Sequence, residues 1–164
     1  MSSQYVLKVK KSFSTHANPQ NAVPMKQYMQ DKFDFLGIQA KLRKELQRAF
    51  MKKDTLPPAK DITAVIKELW ALPEREYQYF AMELLEKYLK NADETIVSLF
   101  EYMIVTRSWW DTVDKIASRL VGFYFKMHPE LIETYTEKWM YYGNMWLQRT
   151  ALLFQLKYKK DTDT

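Results

Sequence analysis

Three residues have types and spacings that packing alone does not demand: Trp110, Asp114 and Arg149. Ser108 followed three residues later by Asp111 has the form of a capping box, with Asp in place of the usual Glu or Gln. It predicts a helix beginning at Trp109. Val113, Ile116, Ala117 and Leu120 fall on one helical face, and counting back four residues from Val113 puts Trp109 there too. Trp110 and Asp114 then share another face, turned by about 100°. The packing alternative is a core Trp110 and an exposed or ion-paired Asp114. A large aromatic one turn ahead of a carboxylate, off the core side, favours a site. Arg149 lies in the segment Trp146 to Leu156, apolar on most sides, where a guanidinium needs a partner or a cavity. It can form an ion pair with a carboxylate such as Asp114, or clamp a phosphate.

The elements that must position these groups read as helices throughout. An amphipathic helix is expected from about Tyr5 to Phe13, with Val6, Val9 and Phe13 as its stripe, broken by Asn18-Pro19. A second is expected to start near Pro24, a first-turn proline, and to carry Tyr28, whose default is a core ring with its hydroxyl at the rim. Phe33 to Ile38 reads as a turn that plugs the core, with Gly37 suited to a left-handed conformation. The next helix, about Gln39 to Lys53, is expected to point Leu42, Leu46 and Phe50 inward. Its other faces carry six cations, Lys41, Arg43, Lys44, Arg48, Lys52 and Lys53, against Glu45. They are either a solvated basic face or a phosphate-tracking one.

Asp61 opens a helix that buries Ile62, Val65, Ile66, Leu69 and Trp70, and Pro73 ends it. A helix from Glu74 and one through Ile96, Leu99, Phe100 and Met103 follow. Gly122 is expected to interrupt the Trp109 helix, His128-Pro129 to turn the chain, and Gly143-Asn144 to break and cap before a last helix from Met145 to Tyr158. Helices starting near Glu74, Trp109 and Met145 recur about every 36 residues, each after a partner helix. That period predicts an all-α, curved α-solenoid of paired antiparallel HEAT-like helices. Its second helices would line one concave basic face bearing Trp110, Asp114 and Arg149. Residues 1–158 are read as a single domain, and 159–164 as a frayed polar tail.

Composition excludes several classes. With 164 residues, 47% of them hydrophobic, and 3 Gly and 6 Pro, the chain suits one helical domain with short connections. No apolar run approaches the roughly 20 residues of a membrane span, and Lys8, Lys10 and Lys11 interrupt any signal-like segment. Absence of Cys removes disulfide and thiolate chemistry and is compatible with a reducing compartment, so a cytoplasmic location is expected. His16 and His128 read as loop residues without ligand spacing, and there is no phosphate loop, HExxH or CxxC. No metal or cofactor is expected. A net charge of +5 is a moderate bias towards polyanions.

At these residues the sequence resembles the HEAT-like DNA alkylation repair glycosylases, the AlkD-like alkylpurine DNA glycosylases. The resemblance rests on Phe35-Leu36-Gly37-Ile38 with Arg43 downstream, and on Glu68-Leu69-Trp70-Ala71-Leu72-Pro73-Glu74-Arg75-Glu76. It continues through Val105-Thr106-Arg107-Ser108-Trp109-Trp110-Asp111-Thr112-Val113-Asp114, Trp146-Leu147-Gln148-Arg149, and Phe154-Gln155-Leu156-Lys157-Tyr158-Lys159. It implies a monofunctional hydrolase that excises cationic N3- and N7-alkylated purines from double-stranded DNA, acting as a monomer away from membranes. It implies active-site roles for Trp110, Asp114 and Arg149, and a DNA-facing surface including Tyr28 and Lys157. Arg43, Lys44 and Arg48 are expected to add phosphate contacts. The family is expected to continue past Thr164 with further helices, one carrying another active-site Trp. The rival functions are a noncatalytic HEAT-like module that binds bent or branched DNA and a protein-binding scaffold.

Overall fold

The computed structural model describes residues 3–163. These residues form helices and connecting turns, so the fold is all-α. They divide into two compact units, residues 1–84 and 85–164.

The first unit contains α1 (Gln4–Thr15), α2 (Pro19–Tyr28), α3 (Ala40–Gln47), α4 (Ile62–Ala71) and most of α5 (Arg75–Glu86). α1 buries Val6, Val9 and Phe13 as its stripe requires. Phe13 stacks on Tyr77 at 5.6 Å and meets Phe80 edge-on at 5.8 Å. Removing each such side chain from water contributes about 2 kcal/mol. α4 buries Ile62, Val65, Ile66, Leu69 and Trp70, all five expected from its spacing. Its last carbonyls are closed by Gln78, whose Nε2 donates to Trp70 at 3.2 Å and Leu72 at 2.8 Å.

Two features of this unit differ from the expectation. α2 starts at Pro19, not Pro24, because the Asn18 side chain accepts from the N–H groups of Gln20 and Asn21 and Pro19 follows as a first-turn proline. The Asn-Pro pair is a helix start, and Pro24 lies inside the helix. α3 is shorter than expected, passing into a 3₁₀ turn at Arg48–Phe50, and its buried residues are Arg43 and Gln47 while Leu42 is exposed. Both buried side chains turn towards Glu83 of α5: Gln47 hydrogen-bonds it and Arg43 Nη2 lies 3.7 Å away.

Residues 33–38 are fastened to the start of α5 mainly through backbone. Arg75 N–H donates to the Asp34 carbonyl at 2.8 Å. The Glu76 carboxylate, without solvent exposure, accepts from Leu36, Gly37 and Ile38 N–H at 3.0, 2.9 and 3.1 Å. Gly37 has φ +90, and a Cβ there would come within 1.9 Å of the Asn18 carbonyl. Its role is this close approach, since α2 has already ended at Tyr28.

The second unit contains α6 (Ile96–Val105), α7 (Trp110–Lys115), α8 (Gly122–Met127), α9 (Ile132–Tyr141) and α10 (Met145–Leu153). Its core joins Phe125 to Trp139 at 5.7 Å and to Phe154 at 5.6 Å. Trp139 Nε1 donates to Glu101 at 2.8 Å, so the buried indole is satisfied. α7 continues through a π-helical turn, Ile116–Val121, directly into α8. Gly122 therefore does not interrupt this run as expected. Instead a Cβ on Gly122 would lie 2.3 Å from the Phe154 carbonyl, so glycine admits the end of α10 against the helix. The polar tail carries a 3₁₀ turn, Lys159–Asp161. α5, α7 and α10 begin at Arg75, Trp110 and Met145, an even spacing of 35 residues.

Candidate active site

α7 starts one residue later than expected, and by another device. Ser108 does not cap it: its hydroxyl donates back to the Ile104 carbonyl at 2.5 Å. Trp109 is the capping residue, in extended conformation and without a side-chain cap bond. Its ring is half-buried, 5.9 Å from Trp146. Trp110 becomes the first helical residue and is 40% exposed, which sets aside the core alternative. Asp114 is one turn further along the same face. At α10, Asn144 accepts from Trp146 and Leu147 N–H at 2.9 and 3.2 Å. With Leu147 and Thr150 buried, Arg149 is left on an open face.

The two elements bring Asp114 and Arg149 together. Arg149 Nε donates to Asp114 Oδ1 at 2.5 Å and Nη2 to Oδ2 at 2.7 Å, a bidentate pair. Side-chain exposures are 44% for Arg149 and 33% for Asp114, so the pair is open to a ligand. The hydrogen bond to Asp114 raises the guanidinium further above its ordinary range. The ion pair read from sequence is therefore present. Arg149 has five N–H donors, and only two are used on Asp114, so a phosphate contact remains compatible with it.

Lys157, exposed, lies in the same unit. Tyr28 (71% exposed), Lys44 and Arg48 are surface residues of the first unit. Arg43 requires a correction. It is 6% exposed, with its guanidinium near Glu83 and 5.0 Å from the Tyr79 ring centre. Burial lowers its pKa from the ordinary arginine range. It belongs to the inner face of α3 and is not part of the exposed basic surface, which carries Lys41, Lys44, Arg48, Lys52 and Lys53.

Sequence reasoning missed Arg119 and Lys126, which with Ser118 and Lys157 line a cleft of the second unit, on the helical run that continues from α7. Ser118 Oγ donates to the Asp114 carbonyl at 2.9 Å. The available signal was the spacing of Asp114, Ser118 and Lys126 along one helical run, obscured by the expected break at Gly122. Among the described residues no group of three His, Asp or Glu side chains could hold a metal ion, and no helix is long and apolar enough to cross a membrane.

The chain is all-α, with a partly exposed carboxylate–guanidinium pair and an exposed indole one helical turn ahead of the carboxylate, and comparison supplies its family. Residues 9–164 match the family described as DNA alkylation repair enzyme. The chain is also similar to a solved structure described as a predicted DNA alkylation repair enzyme from Enterococcus faecalis. The two share 29% identity with a TM-score of 0.81, over 90% of this chain and 68% of that one. No match is found among curated proteins. The chain belongs to the DNA alkylation repair enzyme family. DNA alkylation repair is accordingly its function, and DNA its binding partner.

Proposed function

We propose that the protein is a monofunctional DNA glycosylase that hydrolyses the N-glycosidic bond of cationic N3- and N7-alkylated purines in duplex DNA, acting as a monomer. The observation that carries this reading is the Asp114 carboxylate, held by both oxygens on Arg149 at 2.5 and 2.7 Å yet one-third exposed. An alkylated purine that bears positive charge departs as a neutral base, so its leaving group needs no general acid. Charge develops instead on the deoxyribose, as an oxocarbenium-like cation. Asp114, pre-oriented by Arg149, would stabilise that cation and direct the attacking water. Trp110 would offer its π face to the cationic nucleotide and exclude water from one side. Arg149 would bridge a backbone phosphate to the carboxylate and thereby fix the sugar against it. Tyr28, Lys157, Lys44 and Arg48 would hold other phosphates. Water is the only co-reactant required.

The test is release of 7-methylguanine from a methylated duplex. Asp114→Asn is expected to lower release by about 10²–10³-fold, the scale for losing one transition-state electrostatic group, with DNA binding retained. Equal release by parent and variant would remove Asp114 from the mechanism.

One observation favours a second reading, noncatalytic binding of bent or branched DNA. Asp114 and Arg149 engage each other directly, and such a pair serves structure as well as chemistry. In that case the exposed cations would bind phosphates, and salt-sensitive binding would occur without base release.

A further inference from the structure

The helical run from α7 to α8 buries four pairs of neighbouring residues: Thr112 and Val113, Ile116 and Ala117, Leu120 and Val121, Tyr124 and Phe125. Their spacing is four throughout. In an uninterrupted α-helix a period of four drifts by about 40° per step, so Phe125 would face about 120° away from Val113. The π-helical turn removes most of that drift. Gly122 N–H donates to the Ala117 carbonyl, five residues back, and this wider turn absorbs about one residue's rotation, about 100°. The same correction aligns the neighbouring line of Trp110, Asp114, Ser118 and Gly122. Asp114 and Gly122 would diverge by about 80° in a plain α-helix, and here they come close to one line.

α10 lies along that line, and its contacts follow in the same order on both elements. Trp109 meets Trp146 at 5.9 Å, Asp114 holds Arg149, and Gly122 receives the Phe154 carbonyl. Beyond α10, the Tyr158 hydroxyl donates to the Gly122 carbonyl at 2.5 Å. The ion pair therefore sits between two fixed contacts, an indole pair before it and a backbone approach after it. Glycine is the poorest helix former after proline, so helical propensity does not account for Gly122 inside a continuous run. The close approach does. A Cβ there would stand 2.3 Å from the Phe154 carbonyl, whereas ordinary contact begins at 3.4 Å, so one methyl group would displace the end of α10 by about 1 Å.

We infer that Gly122 is a positioning residue for base release: through the Phe154 carbonyl it sets where α10 lies, and so where Arg149 holds the Asp114 carboxylate. The π-helical turn brings Gly122 and Asp114 under the same helix, and the Tyr158 hydroxyl fastens the contact. Gly122 touches no reacting group and acts only through α10. The inference rests on the proposed role of Asp114, but one of its measurements needs no excision.

The experiment is Gly122→Ala in the full chain, read by 7-methylguanine release from a methylated duplex and by the Arg149 Nε–H resonance in the NMR spectrum. A misplacement of about 1 Å costs on the order of 10²-fold, so kcat is expected to fall by about that factor with KM unchanged. The Arg149 Nε–H proton, bonded to Asp114 in the parent, is expected to exchange faster with water. In the Asp114→Asn background Gly122→Ala should cause no further loss of release, because its effect passes through that carboxylate. Tyr158→Phe removes the bond to the Gly122 carbonyl without adding bulk. It should show the same signature at smaller size, and it decides the matter if Gly122→Ala does not fold. Losses that multiply in the double variant, or an unchanged Arg149 resonance, would make Gly122 a packing residue only and overturn the inference. Faster exchange without base release by the parent would sustain the positioning and sink the glycosylase. Release by the parent that Gly122→Ala leaves intact would do the reverse.

Discussion

Arg75 and Arg149 each stand five residues ahead of a phenylalanine, Phe80 and Phe154, on helices that belong to the same 35-residue spacing. Their uses are opposite. Arg75 has no exposure, lies 3.7 Å over the Phe33 ring, and adjoins Glu76, which ties residues 36–38 by their N–H groups. Arg149 keeps 44% of its side chain in solvent and grips the Asp114 carboxylate. Register explains the difference. Arg75 is the first residue of α5, where the incoming 33–38 segment covers it, whereas Arg149 falls on the second turn of α10, beyond the Asn144 cap. A buried guanidinium builds the unit around it. An exposed one oriented by a carboxylate remains available to a substrate.

Substitutions can break this contrast. Arg75→Ala should have the largest effect on stability, a loss of about 3 kcal/mol in chemical denaturation, because a fully buried side chain and its contact with Phe33 are removed together. A loss below about 1 kcal/mol would mean that the first unit does not depend on it. Trp110→Ala should cost only about 1 kcal/mol of stability, given its 40% exposure, while slowing base release by about tenfold. A collapse of thermal stability would make Trp110 a packing residue after all. Arg149→Ala should have the smallest effect on stability, about 0–1 kcal/mol, since the pair it breaks is exposed. Both DNA binding and base release should nevertheless fall. Stability loss equal to that of Arg75→Ala, with binding intact, would move Arg149 into the structural class and erase the contrast.

Much of this was legible locally. The stripes of α1 and α4 and the Asn144 cap follow from apolar spacing and side-chain chemistry within a few residues. Asp114 and Arg149 could be paired from sequence because Arg149 sits in a segment apolar on most sides, where a guanidinium needs a partner. What could not be read depends on partners far along the chain. The short, polar α3 offers two plausible inner faces, and Glu83 selects the one with Arg43 and Gln47. Gly122 looks like a helix break until the Phe154 carbonyl is seen against it. The Ser108 hydroxyl had two acceptable partners, and the backward bond to Ile104 prevails over the cap. Glu76 could have been suspected, since it stands in register with buried Phe80 on α5. Only the structure identifies the three N–H groups that satisfy it.

The most direct test of the central claim is 7-methylguanine release from a methylated duplex by this 164-residue chain beside Asp114→Asn, with binding of both to the same duplex measured in parallel. Release by the parent, a loss of about 10²–10³-fold in the variant, and similar binding by both are the predicted results. Salt-sensitive binding by both chains with release by neither would contradict the glycosylase and leave a DNA-binding module.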